Sequence, residues 1–578
     1  MYKVIKFLII NTLLSAVVFA AQTPQSGSIL QEQRQEEYLP NLSKDKIAKE
    51  KKVTEVKKEK KSLTKIKIKE FIIDSKPTIF TKEYLYSLIN NKLGKEFDIN
   101  GLYQILDIIN KEYKVSGYII AKAFFPQQDI TDGIIHIKIV EGNVDSSENG
   151  IVIKEENLRL NSEYAKKIVT TSLSQGKPLH KEQLERAILL LSDLPGIKAT
   201  ANLEKGSQKD TTRIIMETKE GNVTNPYVSL DNSGSRYTGV YKLTAGVDFK
   251  DPNKNGDEVK LKVTQSIGAG DLNLISLGYS IPIKYSGLKV GINTQFMKYE
   301  LGEEFKSLNL KGNSKNYSIY STYPIKRTTQ TNLTFKSSYD FAILKDKQNG
   351  IESNSKNVQT LRTGLLVNRS DKFLEGGYTY GDIFFNIGDN NIKNTASFNL
   401  DQSSMGAKTN GDFKKLTFNV SRIQRGSEKF FLVGTMAGQY SYDNLDSSEK
   451  FQLGGAYGVR AYPSGEASGD NGLKSTLEAR YIIASGTDIG DIRAIGFYDW
   501  GRIQQYKNRG DIVLSAPSSY NLKGWGIGMN FGKPNDFDGA ITYARKIGTN
   551  PGADALTGND SDGTNSKDRI WFSIRKFF

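Results

Sequence analysis

The chain has 578 residues and a formal charge of +15, with 38% hydrophobic and 25% charged residues. This length is too great for one compact soluble domain and indicates two to four domains. Cysteine is absent and the only histidines are His136 and His180, which excludes disulfide scaffolds, thiolate zinc sites and cysteine nucleophiles, and leaves little material for a histidine-based active site. We therefore predict no catalytic residue, no cofactor and no metal site.

The excess positive charge is concentrated in one short segment. Between Lys44 and Lys69 there are 12 lysines and 4 acidic residues, a local charge of +8. A basic face spread over the chain is therefore not expected, and nucleic acid is not a predicted partner. Tyrosine (29), phenylalanine (27) and glycine (53) are abundant while proline (14) is scarce, a mixture that favours exposed β-structure.

Residues 1–20 have the pattern of a secretory signal peptide. Lys3 and Lys6 precede an apolar run, and residues 18–20 offer small side chains for cleavage. A membrane anchor is the weaker alternative. No other window is long and apolar enough for a membrane helix, so we expect an exported protein that is either soluble outside the inner membrane or an outer-membrane barrel.

Residues 21–64 are predicted to be a linker that carries one short helix. The segment is polar, highly charged and low in aromatic residues, so it cannot bury enough apolar surface to order itself alone. Ser28–Leu39 contains neither glycine nor proline and favours a short helix. The lysine-rich remainder is expected to be a tether extended by self-repulsion.

Residues 65–222 repeat a pattern of strand, two helices and two strands. The first copy, 65–142, has predicted strands at 66–73, 118–124 and 134–140, with helices starting at 82 and spanning 102–109. The second copy, 143–222, has predicted strands near 151, 199–204 and 213–219, with helices at 162–174 and 181–193. The two copies end in Glu141-Gly142 and Glu220-Gly221, which are 79 residues apart (220 − 141). We predict two small α+β modules in tandem.

Residues 223–578 follow the alternating period of β-strands. Apolar residues at 241–249 alternate with Lys242, Thr244 and Asp248, and the same period recurs at 259–264, 525–532 and 570–575. A soluble sandwich alternates as well, but the signal peptide, the many aromatic residues and the aromatic end at Phe577-Phe578 favour a transmembrane barrel whose last strand pairs with its first. At roughly 20–25 residues per strand with its loop, this region holds about 14–18 strands, and we predict sixteen.

One long loop and one strand of this barrel carry the most informative polar residues. Residues 451–481 are glycine-rich and lack clean alternation before Leu473, so they predict a long loop. Within it, Arg460 is a fixed cation between apolar and aromatic neighbours. In the later strand at 497–501, Asp499 alternates with two bulky aromatic residues. If those aromatic residues face lipid, Asp499 faces the lumen, where a carboxylate requires a cation.

The remaining polar candidates carry less information. No histidine lies between residues 222 and 578, so a histidine-assisted hydrolase is not expected in the barrel. We assign structural or solvated roles to His136, on an apolar strand, and to His180, before a helix. The acidic pairs Asp560/Asp562 and Asp443/Asp446 are predicted to lie in loops at the outer rim, where calcium binding is left open.

Four segments together resemble the outer-membrane transporters of two-partner secretion, the hemolysin-activator and filamentous-hemagglutinin-secretion type. These segments are residues 117–142, 176–206, 229–247 and 454–472. The family belongs to the superfamily of POTRA-bearing barrels, so the resemblance implies an outer-membrane β-barrel (223–578) preceded by two periplasmic POTRA domains (65–142 and 143–222) and an N-terminal plug helix with its linker (21–64).

The resemblance also implies a site that ties the loop to the barrel wall. In the family, the loop folds back into the barrel and its arginine pairs with an aspartate of the wall, which corresponds to Arg460 and Asp499 here. The residues that match the two motifs are Val459, Arg460, Tyr462, Phe497, Asp499 and Gly501. Ala461 stands where glycine is the commoner residue, so a positive φ at that position is in doubt.

The function implied by the resemblance is secretion of a large exoprotein of adhesin or hemolysin type that carries an N-terminal secretion domain. The resemblance implies that the POTRA domains bind the unfolded exoprotein and that the helix near Ser28–Leu39 plugs the resting pore. Since no Walker motif is present, folding of the exoprotein outside the cell is expected to supply the energy for secretion. Outer-membrane lipid and the barrel assembly machinery are the other expected partners. A barrel assembly factor and a passive porin or adhesin remain open as alternatives.

Overall fold

The computed structural model describes residues 23–37, 65–156 and 159–578. The predicted signal peptide and most of the lysine-rich tether lie outside the described residues. Within these ranges, no helix is long and apolar enough to cross a membrane.

The predicted N-terminal helix is present, shifted by two residues at its start. Helix α1 spans Ser26–Glu37, whereas the sequence predicted Ser28–Leu39, and the end of that prediction lies outside the described residues. Ile29 and Leu30 are fully buried and pack on inward-facing side chains of the barrel. The helix therefore occupies the barrel lumen.

The first module follows the predicted order with one correction. Its elements are β1 (Ile66–Lys67), β2 (Glu70–Ile73), α2 (Lys82–Ile89), a 3₁₀ turn (Asn90–Lys92), β3 (Glu96–Phe97), α3 (Ile99–Val115), β4 (Lys122–Phe124) and β5 (Ile134–Val140). The single strand predicted at 66–73 is two strands, because the Ile68 N–H bonds to Lys95 and the Lys69 N–H bonds to Gly133. The chain thus leaves β3 and joins β5 at that point.

Local capping and an apolar core fix this module. The side chains of Thr81 and Asp98 accept backbone N–H bonds at the starts of α2 and α3. Both helices pack on a sheet of order β2-β5-β4. Strand β4 is shorter than predicted and pairs only with β5 among the described strands. At its other edge the Asn110 side chain of α3 accepts the Ala123 N–H at 2.7 Å and donates to the Ala123 carbonyl oxygen at 3.3 Å.

The second module repeats the plan. Its elements are β6 (Asn143–Val144), β7 (Ile151–Glu156), α4 (Ser162–Ser172), α5 (Lys181–Ser192), β8 (Ile197–Lys205) and β9 (Thr211–Glu220). His180 caps α5 by accepting the Glu182 N–H, and its Nε2 lies 3.2 Å from the Ser116 carbonyl oxygen of the first module. His136 contacts Asp74 at 3.0 Å. Both histidines have contacts that account for them structurally.

Sixteen antiparallel strands form a closed barrel, which confirms the predicted number. They are β10 (Thr224–Asp231), β11 (Tyr241–Lys250), β12 (Glu258–Ile267), β13 (Asp271–Ile283), β14 (Leu288–Glu300), β15 (Leu310–Arg327), β16 (Thr331–Gln348), β17 (Ile351–Asp371), β18 (Gly377–Ile392), β19 (Gly411–Arg425), β20 (Phe430–Ser441), β23 (Asn471–Thr487), β24 (Gly490–Gln504), β25 (Ser519–Lys533), β26 (Phe537–Lys546) and β27 (Asp568–Phe577). Strand β27 pairs with β10 from Tyr227↔Phe577 to Asp231↔Ser573. The loops add a 3₁₀ turn (Glu303–Leu308), α6 (Thr395–Gln402), β21 (Phe451–Gln452) and β22 (Ser468–Gly469).

The alternation along the strands separates lipid-facing from lumenal residues. On β11, Tyr241 and Leu243 are exposed on the outer wall, whereas Lys242 between them is buried inside. The outer face is therefore apolar and the lumen is polar, as expected for a transmembrane barrel.

The second module is held to the periplasmic turns of the barrel. Arg327 at the end of β15 makes two hydrogen bonds, of 2.6 and 2.8 Å, to the carboxylate of Asp193. Lys289 donates to the Asp193 carbonyl oxygen, and Arg186 donates to the carbonyl oxygens of Pro324 and Ser286. These bonds fix the orientation of module 2 at the pore entrance.

Candidate functional site in the barrel lumen

The long connection between β20 and β23 folds back into the lumen. Strands β21 and β22 pair within it, and Val459, Ala461 and Tyr462 are buried against the barrel wall. The connection therefore occupies the pore as an ordered element. We call residues 451–470 the lumen loop.

Arg460 of the lumen loop contacts Asp499 of β24 through three hydrogen bonds. Its Nη2 lies 2.7 Å from Asp499 Oδ1, and its Nε and backbone N lie 2.9 and 3.1 Å from Asp499 Oδ2. Asp499 is fully buried and faces inward, while Tyr498 is exposed on the outer wall. The structure thus brings together the two residues that the sequence paired.

Three further residues complete this charge site, and the motifs did not indicate them. Glu478 of β23 accepts from Arg460 Nη1 at 2.8 Å, and Thr476 of the same strand donates to Asp499 at 2.8 Å. Trp571 of the last strand donates its indole N–H to the Arg460 carbonyl oxygen at 2.7 Å. Strand parity could have identified Glu478, because Thr476 and Glu478 share the inward face of β23.

An aromatic ring packs against the guanidinium group of Arg460. The Arg460 guanidinium carbon lies 3.4 Å from the Phe497 ring centroid, a cation–π contact. Tyr462 is fully buried, and Lys546 lies 5.0 Å from its ring centroid. A buried cation with two carboxylates and an aromatic face is strongly oriented, so Arg460 fixes the lumen loop against β23 and β24.

Small residues allow the lumen loop to approach the strands closely. A Cβ at Gly501 would lie 2.8 Å from Leu453 and 3.2 Å from Val459, and a Cβ at Gly524 would lie 2.6 Å from the Ala461 methyl group. Ala461 does not have a positive φ, so the backbone does not require glycine there. The contact with Gly524 instead limits the size of the residue at position 461.

Helix α1 is anchored by a second charge cluster centred on Glu449. This buried carboxylate contacts Lys415 of β19 at 2.7 Å, Arg362 of β17 at 2.8 Å and Arg34 of α1 at 3.4 Å. The Gln31 side chain of α1 also donates to the Ser448 carbonyl oxygen. No sequence motif indicated this cluster, because its members come from four separate parts of the chain.

The start of α1 has its own partners on the barrel wall. The Ser26 N–H donates to Asp346 of β16 at 3.0 Å, and the same carboxylate accepts from Tyr299 at 2.7 Å. Gln452 of the lumen loop donates to the Ser28 carbonyl oxygen at 3.2 Å. Helix α1 therefore contacts both the wall and the lumen loop.

A cavity of about 400 Å³ lies between α1, the lumen loop and strands β17–β20 and β23. The charged residues that line it are Arg34, Arg362, Asp382, Lys415, Lys450, Arg460, Lys474, Glu478 and Arg480. The lumen thus contains polar space beside two elements that are held by polar bonds and by buried apolar contacts with the wall. The adjoining polar space leaves room for these elements to be displaced.

In each acidic pair of the outer loops, at least one carboxylate is paired with a cation. Asp560 contacts Lys546 at 2.5 Å and Arg569 at 3.2 Å, and Asp446 contacts Lys356 at 2.5 Å. These carboxylates are therefore engaged in ion pairs, which does not favour calcium binding there. In the described ranges, no group of three or more histidine, aspartate or glutamate side chains is placed to hold a metal ion.

Comparisons with known proteins agree with this architecture. Residues 210–531 match the family model described as haemolysin secretion/activation protein ShlB/FhaC/HecB, and residues 67–142 match the ShlB-type POTRA domain. The chain is 26% identical over 572 residues to the heme/hemopexin transporter protein HuxB of Haemophilus influenzae, covering 98% of this chain and 97% of that protein. It is 22% identical over 432 residues to the outer membrane transporter CdiB of Dickeya dadantii, covering 71% of each.

The fold is shared with a solved transporter structure. The structure of CdiB from Escherichia coli superposes with a TM-score of 0.72 at 18% identity, covering 96% of this chain and 99% of that one. The predicted fold class, a transmembrane β-barrel with POTRA modules, is confirmed.

Proposed function

Because the chain belongs to the ShlB/FhaC/HecB family of outer-membrane two-partner secretion transporters, we propose that it recognises one unfolded exoprotein through its two modules and passes it through the barrel to the cell surface. The observation that carries this proposal is the filled lumen. Helix α1 and the lumen loop close a sixteen-stranded pore through polar anchors and buried apolar contacts, as a gated conduit requires. The domain boundaries predicted from the sequence are part of this proposal, as is the role of the Arg460 and Asp499 motifs in tying the lumen loop to the barrel wall.

The first module offers a surface for an extended segment of the exoprotein. Strand β4 pairs with a strand on one side only, and helix α3 beside it exposes Ile99 and Tyr103, which lie one helical turn apart. The Tyr103 ring is 5.9 Å from the Phe125 ring, just beyond β4. An extended chain can add to this edge by replacing the Asn110 side chain, which bonds the Ala123 backbone there, while its apolar side chains contact Ile99 and Tyr103.

Helix α1 acts as the plug of the resting pore, and the lysine-rich segment tethers it to the first module. Deletion of residues 22–42 should raise pore conductance in planar bilayers, because it removes the helix that fills the lumen. Unchanged conductance would reject the plug.

The Arg460–Asp499 pair positions the lumen loop. Arg460→Ala should abolish secretion while the barrel still inserts, because it removes the cation paired with the buried Asp499 carboxylate, whereas Glu478 keeps its contact with Arg480 at 2.7 Å. Normal secretion by this variant would contradict the role. The pair orients the loop and performs no chemistry, so we propose a transporter and not an enzyme.

The experiment that tests the function is depletion of the protein in its native bacterium. The culture medium and cell-surface fractions are compared by mass spectrometry, and the outer-membrane barrel inventory is measured in parallel. Loss of one or a few very large exoproteins with other barrels intact supports secretion and identifies the cargo. A general fall in barrels indicates an assembly factor, and no change indicates a porin or adhesin.

Membrane insertion involves two further proposed partners. The barrel assembly machinery inserts the chain, and outer-membrane lipid surrounds the exposed apolar wall.

A further inference from the structure

Five lysines face outward at one end of three neighbouring strands. They are Lys298 on β14, Lys311 and Lys315 on β15, and Lys345 and Lys347 on β16. Their outward orientation follows from strand parity, because Lys298 lies between the buried residues Met297 and Tyr299, and Lys345 lies between the buried residues Leu344 and Asp346. These lysines form one basic patch on the outer wall of the barrel.

The basic patch lies at the extracellular end of the barrel. Module 2 ends at β9 and leads directly into β10, so the turns that follow β11, β13 and β15 face the periplasm. This is consistent with the contacts of the β13–β14 and β15–β16 turns with module 2. Strands β14 and β16 therefore end outside, and β15 starts there.

The strand register brings three of the lysines around one point. Asn313 on β15 is opposite Lys298 on one side and Lys345 on the other, so these two lysines flank it at about 4.8 Å strand spacing. Lys315 follows two residues along the same face, about 7 Å towards the membrane. Long, flexible lysine side chains from these positions can converge on a single phosphate group.

Apolar residues begin at the level of Lys315. The cross-strand partners of Lys315 are Phe296 and Ile343, and the Phe296 ring stacks edge-on against Tyr317 at 6.0 Å. Ile319, further along the same face, is exposed. The lysines therefore lie where the hydrocarbon layer ends and the lipid headgroups begin.

Acidic residues neutralise only part of this charge. Lys311 pairs with Glu300 at 2.9 Å and Lys345 pairs with Glu352 at 3.6 Å. In the part of the chain that the structure describes, Lys298, Lys315 and Lys347 make no ion pair. The patch therefore retains cations that can bind an anion.

We propose that the basic patch on β14–β16 binds the phosphate groups of an outer-leaflet glycolipid, with Lys298, Lys315 and Lys345 around one phosphate and the acyl chains along Phe296, Tyr317 and Ile319. The ligand is a lipid because charged and apolar contacts adjoin in the order in which a lipid presents its phosphate and its chains. The proposal requires the outer-membrane location and does not depend on secretion of an exoprotein.

The test uses the purified full-length protein in detergent micelles and diphosphoryl lipid A as the probe, with binding followed by native mass spectrometry. In the triple variant Lys298→Gln/Lys315→Gln/Lys345→Gln, we expect the apparent affinity to fall about 100-fold, since each lysine near an anionic lipid contributes about a factor of five. The matched control is Lys393→Gln/Lys408→Gln/Lys414→Gln, which removes three exposed extracellular lysines near β18 and β19 and should change binding less than about threefold.

Two further arms identify the source of the phosphate. Lipid A without its phosphates should bind at least about tenfold more weakly than the diphosphoryl form, and millimolar inorganic phosphate should not displace the lipid. Equal binding by the wild type and the triple variant, equal losses in both triple variants, or displacement by free phosphate would each overturn the proposal. Secretion is measured in parallel, so a variant that secretes normally but loses lipid A separates this site from the transport function.

Discussion

Glu449 contacts both α1 and the barrel, and these contacts allow us to predict how the proposed plug is released. Of its three cations, Lys415 and Arg362 belong to the barrel, and only Arg34 belongs to α1. When α1 leaves the lumen, Glu449 therefore keeps two cations at 2.7 and 2.8 Å. Plug release does not leave a buried carboxylate without a partner, so it avoids the largest electrostatic cost that a buried ion pair can impose.

Two substitutions around Glu449 should change plug occupancy in opposite directions. Arg34→Met removes the longest of the three contacts, at 3.4 Å. A long bond to a charged group contributes about 1 kcal/mol, so the open fraction should rise about fivefold. Lys415→Met instead removes a cation of the barrel, after which release of α1 leaves Glu449 with Arg362 alone. We expect the closed state to gain about 1–2 kcal/mol relative to the open state, a fall of about 5–30-fold in the open fraction.

The assay is single-channel recording in planar bilayers at low salt, where charge contacts are least screened. The matched control is Lys414→Met, because this adjacent lysine is exposed and the hydrogen bonds at its position are made by its backbone. The control should leave the open probability unchanged. If Lys415→Met opened the pore as Arg34→Met does, the idea that Glu449 is shared between barrel and plug would be refuted.

The remaining predictions concern the wall, the module junction and acid stability. Asp499→Asn should reduce secretion while heat-modifiable mobility on gels remains normal, since the lumen loop loses its anionic anchor; full secretion would argue against it. Asp193→Asn weakens the bidentate contact with Arg327, so the distribution of spin-label distances between module 2 and the barrel should broaden by several ångströms. An unchanged distribution would show that this contact does not fix the orientation of module 2. Backbone N–H groups of Ser147 and Ser207 donate to Asp145 and hold its pKa well below the usual range. This stabilisation is present at neutral pH and is lost as the pH falls below about 4, so Asp145→Asn should flatten the acid limb of unfolding measured by circular dichroism.

Strand parity accounts for what could be predicted of the site. A strand has a period of two, so the position of Asp499 between two bulky aromatic residues sufficed to place it in the lumen. The same rule applied to β23 would have placed Glu478 there too. The split of the first predicted strand at Ile68 was missed because apolar residues occur on both sides of it, and only the hydrogen-bond partners of Ile68 and Lys69 separate the two strands.

The Glu449 cluster lies beyond such reasoning for a physical reason. Glu449 is in a connection without periodicity, and its partners Arg34 and Lys415 precede it by 415 and 34 residues (449 − 34 and 449 − 415). Their meeting depends on barrel closure and on which segment fills the lumen, and neither leaves a local pattern in the sequence. Because Glu449 contacts both α1 and the barrel wall, the contacts on which the proposed plug release depends join residues that are distant in the chain.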